Sequence, residues 1–145
     1  MSHPGTEWPS TPSVLVAHVT GTELVSPTAT LILDGFIGTG RNDGVISSLS
    51  VGEALVRPAR AGRAREMGLG ILDMPGLTVQ AADFLVAAEA ARIRAGTSLR
   101  MPDAIVIATG VLTSAAILVT NDRRLATAAP LVVPEMRVIL LSDLV

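Results

Sequence analysis

Short apolar runs and longer segments of helical spacing alternate along this chain. Residues 14–19 (VLVAHV), 45–49 (VISSL), 77–80 (LTVQ), 116–120 (AILVT) and 136–141 (MRVILL) are brief and rich in Val, Ile and Leu. Runs of this kind read as buried strands, although 14–19 taken alone also suits the first turns of a helix. Helix signals fall between them. Ser26-Pro27 offers a cap followed by proline at the first helical position, opening a helix through Leu31, Ile32, Leu33 and Phe36. Ser50, with Glu53 three residues later, has the spacing of a capping box. The helix it opens meets Pro58, which ends or kinks it, and a second helical piece follows over 63–72. Asp83 opens a long helix in which Phe84, Leu85, Ala88, Ala91 and Ile93 recur at helical spacing until Gly96.

The stretch 101–124 (MPDAIVIATGVLTSAAILVTNDRR) organises the rest. Pro102 suits a first helical turn, and Asp103 meets the positive end of the helix dipole there. Ala104 to Val111 is apolar on nearly every face, so this helix is expected to be buried. After the strand at 116–120, Asn121 can cap a further helix through Arg123, Arg124 and Leu125. Strands alternating with helices of ten or more residues predict an α/β fold, a parallel sheet with helices on both faces. Residues 1–12, with three prolines among Gly, Ser and Thr, read as a flexible N-terminal segment, and 13–145 as one domain.

Composition narrows the chemistry. Apolar residues make up 49 % of the chain and aromatics 2 %, so the core must be built from Ala, Val, Leu and Ile. A formal charge of −2 gives no global field to attract nucleic acid or an anionic membrane. All eleven basic residues are Arg, four of them at Arg57, Arg60, Arg63 and Arg65. Arg can grip phosphate bidentately, but a charge run is more often a solvated face. The absence of Cys excludes disulfides, thiolate metal sites and Cys nucleophiles. No apolar run approaches the roughly 18 residues of a membrane span, and the first residues lack a basic-then-apolar leader. A cytoplasmic protein without membrane contact is expected. The Gly-rich run 38–44 (GTGRNDG) follows a helix and precedes a strand, the reverse of a phosphate loop, so it reads as a helix end and loop.

Three acids occupy comparable places: Glu53, Asp103 and Asp122 each lie where a strand gives way to a helix, or in a helix's first turn. Ligands of open α/β sheets sit outside the carboxyl ends of the strands. Carboxylates that converge there repel one another unless a cation joins them. Oxygen ligands without Cys or His suit Mg²⁺ or Mn²⁺, ions that activate water and stabilise charge on a leaving oxygen in phosphoryl chemistry. Glu53 also keeps its capping-box reading. His3 lies in the N-terminal segment and His18 in an apolar run, so a Ser-His-Asp hydrolase is poorly supported.

The segments ISSLSVGEALVRPARAG (46–62) and LRMPDAIVIATGVLTSAAILVTNDRRLA (99–126) resemble the PIN-domain ribonucleases, most closely the VapC-like toxins of toxin–antitoxin pairs. The resemblance covers roughly 13–145 and implies a three-layer α/β/α fold. It also implies RNA cleavage with Mg²⁺ or Mn²⁺ held by Glu53, Asp103 and Asp122, supported by Ser13, Ser47, Thr120 and Asn121. Arg123 and Arg124 adjoin Asp122 and would be the RNA contacts. A cognate antitoxin and a second copy of the chain would be partners. One departure stands out. The family's first strand ends in an acid, whereas here Thr11 stands at that position with Ser13 after it, and GTEWPS before it is no buried strand. In this register the N-terminus is atypical or truncated and the central strand weak or missing. If 14–19 instead supplies that strand, no Asp follows it and Glu23 is the nearest acid.

Overall fold

The computed structural model describes residues 14–18 and 43–144. The elements run β1 (Val14–His18), β2 (Asp43–Ser47), α1 (Ser48–Arg60), α2 (Ala64–Leu72), β3 (Leu77–Gln80), α3 (Phe84–Ala95), α4 (Met101–Leu112), β4 (Ile117–Thr120), α5 (Arg123–Val132) and β5 (Arg137–Leu140). A 3₁₀ turn, Leu141–Leu144, follows. The strands form one sheet in the order β3-β2-β1-β4-β5, and every pair is parallel. This is the α/β architecture that the alternation predicts: parallel neighbours require crossovers, and among the described residues helices provide them.

Alternation along the strands divides the core between the two sheet faces. Val45 and Leu118 point to one face, where they pack with Val86, Ala90 and Ile93 of α3, Ala104, Ile107 and Ala108 of α4, and Leu125 and Ala129 of α5. Ile46, Ile117, Val119 and Ile139 point to the other with Ala17, against Val51 of α1 and Met74 after α2. Such runs, apolar on both faces, are what a covered parallel sheet demands. Helix α4 is buried from Asp103 to Gly110 except at Ile105, as its all-round apolar sequence requires.

The register of the central strand differs from the favoured expectation. The strand is present and is β1, Val14–His18, paired on one side with β2 and on the other with β4. Pro9 and Pro12 explain the choice: a strand with neighbours on both sides needs every N–H for its ladders, and proline has none. Residues 14–18 hold no proline and can serve on both sides. Thr11, Ser13 and Glu23, the helix expected over 26–36 and most of the Gly-rich run lie outside the described residues, while Asp43 and Gly44 already belong to β2.

Two caps also move. Ser47 rather than Ser50 caps α1, its Oγ accepting the Leu49 N–H at 3.2 Å. Asp122 rather than Asn121 caps α5. At α1 the hydroxyl at the strand's last residue takes the cap; at α5 Asn121 is turned to the Ser142 N–H, and Asp122 takes it. Pro58 lies inside α1, which ends within two residues of it at Arg60.

Candidate active site at the carboxyl edge of the sheet

The sheet order places β1 between two chain directions, with β2 and β3 on one side and β4 and β5 on the other. Open sheets bind ligands at such a switch point, beyond the carboxyl ends of the strands. The last strand residues form a level row there: Thr120 pairs with His18 and with Leu140, and Ser47 pairs with Gln80. Ser47 and Thr120 are completely buried.

The turn from β4 into α5 is fixed by side-chain oxygens that accept main-chain N–H groups. Thr120 Oγ1 accepts the Asp122 N–H at 3.0 Å. Asp122 Oδ1 then accepts the N–H groups of Arg124 and Leu125, at 3.0 and 3.2 Å. Two of the donors that every helix start leaves over are thereby satisfied by one carboxylate, whose charge also suits the positive end of the dipole. Asn121 Oδ1 accepts the Ser142 N–H at 3.1 Å, tying this turn to the segment after β5.

Asp103, in the first turn of α4, is the one charged residue buried in the core among the described residues. Its Oδ2 receives a hydrogen bond from Arg124 Nη2 at 3.0 Å. The side chains are 7 % and 53 % exposed, so a buried carboxylate meets a half-exposed guanidinium. Arg124 thus joins both acids, Asp122 through its main chain and Asp103 through its side chain. Arg123 reaches Asp143 only at 4.0 Å, with both side chains largely exposed.

The structure therefore joins Asp122 to Thr120 and Arg124, and ties Asp103 to the same turn through the Arg124 guanidinium. It does not gather the full triad: among the described residues no three acidic or histidine side chains stand close enough to hold one metal ion. Glu53 is exposed in the second turn of α1, a helix whose start Ser47 has already capped. Two features escaped the sequence reading. One is the Arg124–Asp103 pair, for which a signal existed, since arginine in a helix's first turn opposes the dipole and calls for a nearby acid. The other is Ser50, fully buried with no partner for its Oγ among the described residues.

The remaining oxygen of each paired acid, Oδ1 of Asp103 and Oδ2 of Asp122, has no hydrogen bond to another described residue. All-oxygen donors suit a hard cation, and Mg²⁺ is commonly held by one or two carboxylates with water and substrate phosphate completing its shell. The two acids fit that requirement.

Residues 13–130 match the PIN domain family. No curated protein matches the sequence. Among solved structures, the chain is similar to one from a toxin–antitoxin complex of Klebsiella pneumoniae, with 17 % identity, a TM-score of 0.65, and coverage of 89 % of this chain and 98 % of the other. It is also similar to a chain of VapBC2 from Rickettsia felis, bound there to a DNA fragment from its promoter, with 13 % identity, a TM-score of 0.54, and coverage of 88 % and 98 %. At these identities the likeness is one of fold. None of the helices in the described residues is long and apolar enough to cross a membrane.

Proposed function

This chain belongs to the PIN-domain family, and from that premise we propose that it is a toxin-type ribonuclease, hydrolysing RNA phosphodiester bonds with Mg²⁺ or Mn²⁺. The observation that supports this reading is the link that Arg124 makes at the start of α5, its main-chain N–H on Asp122 and its guanidinium on Asp103. Those two acids would hold the ion, with Glu53, in the second turn of the helix that follows β2, as the third carboxylate. When bound, the ion supplies an activated water and stabilises charge on the leaving oxygen.

The chain's own residues do the positioning. Thr120 Oγ1 holds the Asp122 main chain, and the α5 N–H groups fix its carboxylate. Buried Ser47 caps the turn that leads to Glu53. Arg123 and Arg124 give the edge positive charge that suits an RNA backbone, as Arg suits phosphate generally. A cognate antitoxin as partner is supported by the fold likeness to chains of toxin–antitoxin complexes. Exposed Leu69, Leu72, Phe84 and Leu85 are apolar surface of the kind a partner helix or a second copy would cover.

The test is Mn²⁺-dependent cleavage of a structured RNA by the parent, Asp122→Asn and Glu53→Gln. Asp122→Asn keeps the cap and removes the charge, so cleavage should fall by about 10²-fold or more, the scale of losing a group that binds developing charge. Undiminished cleavage by Asp122→Asn would sink the assignment.

A second reading, a PIN domain that binds an antitoxin or itself but cuts nothing, is favoured by one specific observation. β1 ends in Ala17-His18 with no carboxylate, and no three-acid group forms among the described residues. A silent parent that gains cleavage on His18→Asp, at the strand position level with Thr120, would establish it.

A further inference from the structure

Arg124 is held where a helix least favours a cation. It lies in the first turn of α5, where the dipole is positive, and its main-chain N–H is already committed to Asp122. Its guanidinium nevertheless turns onto Asp103, 3.0 Å away. The reason lies with Asp103. A carboxylate buried in an apolar core is strongly disfavoured unless a positive charge or several hydrogen bonds accompany it. Among the described residues, the hydrogen-bond partner of its side chain is Arg124. A divalent ion bound at this edge would make the same demand on the same carboxylate, and it would repel the guanidinium beside it.

We propose that Arg124 is a built-in counter-ion of Asp103 that competes with the divalent ion, so that ion binding and release of the guanidinium are coupled. This rests on reading the acid edge as a divalent-ion site. In the ion-free protein Arg124 neutralises Asp103 and ties the first turn of α5 to that of α4. When the ion takes Asp103, the half-exposed guanidinium moves toward solvent. The competition lowers the affinity of the site for the ion and protects the fold in its absence.

The experiment is a titration of the full chain with Mn²⁺, reading free ion by electron paramagnetic resonance, with thermal melts in parallel. Arg124→Gln should bind Mn²⁺ about tenfold more tightly than the parent, the order of one charge-assisted hydrogen bond removed from competition. It should melt lower without the ion and gain more from it, since a ligand of the native state stabilises in proportion to its affinity. Arg124→Lys keeps the charge without the fork and should gain about two- to threefold; it carries the test alone if Arg124→Gln does not fold. The gain must vanish when Asp103→Asn is added. Equal Mn²⁺ affinity in the parent and both variants overturns the competition while leaving the ribonuclease reading intact. Weaker binding by Arg124→Gln also overturns it, by making Arg124 a support of the ion site. No Mn²⁺ binding by any variant overturns both.

Discussion

Two strand-to-helix turns, β4 into α5 and β2 into α1, are built on one plan and yield different chemistry. Each strand ends in a buried hydroxyl residue, Thr120 or Ser47, and each new helix starts under a side-chain cap. At β4 the cap is itself the acid: Asp122 accepts two N–H groups, and Thr120 holds its backbone from behind. At β2 the hydroxyl of Ser47 does the capping with one N–H, and the acid, Glu53, stands more than a turn further on with its side chain in solvent. The fold aims the first carboxylate through the backbone. The second has only its own rotamers to aim it. Where a cap and a reactive group are the same residue, stability and chemistry are tied together; where they are separate, either can be lost alone.

Substitutions can break that contrast. Asp122→Ala should cost the most stability of this set, about 2 kcal/mol in urea unfolding, because a doubly used charged cap is lost. Asp122→Asn should recover most of it, since Asn caps nearly as well. Ser47→Ala should cost about 1 kcal/mol while leaving every acid in place. Equal losses at Asp122 and Ser47 would show that the second N–H bond and the charge add nothing. Three residues on, the sign should reverse. Ser50 buries a hydroxyl that has no partner among the described residues, so Ser50→Ala should leave stability unchanged or raise it by up to about 1 kcal/mol. A clear loss there would mean that the hydroxyl is bonded after all.

The smallest effect belongs to a pair remote from both turns, on α3. The hydrogen bond from Arg92, aided by its charge, holds the Glu89 carboxyl below its ordinary range against a modest opposing effect of burial. A depressed carboxylate adds stability above its unfolded pKa and loses it as the pH falls through its folded pKa. The deficit of Glu89→Gln against the parent should therefore be visible at neutral pH and disappear in acid, and it should be slight because Arg92 is largely exposed. A deficit that grew in acid would contradict the pairing.

Much of this architecture was legible because the signals were local. The apolar runs at 77–80 and 116–120 fall on β3 and β4 nearly residue for residue, and Asp83, Gly96 and Pro102 mark the helix ends as their chemistry suggests. The register of β1 was not settled locally. It depends on which residues can offer N–H groups to two neighbours at once, and that is a property of the assembled sheet. The caps slipped for a related reason: Ser47 and Ser50, or Asn121 and Asp122, are equally good caps in isolation, and only the strand's end decides between them. At the site, the acids Asp103 and Asp122 were visible as residue types at helix starts. Their link through Arg124 joins positions 21 apart and leaves only the faint trace of a cation at the wrong end of a dipole.

The small side chains of α4 constrain how this protein can vary. Ala104 and Ala108 are wholly buried against the sheet and its neighbours. In a close-packed interior a larger residue at either position must push α4 outward, and Asp103, within about a turn and a half on the same helix, travels with it. Drift in the core is then also drift in the acid pair. A lineage can retune this edge without ever substituting an acid, and a library of core variants at these two alanines is at the same time a library of site geometries.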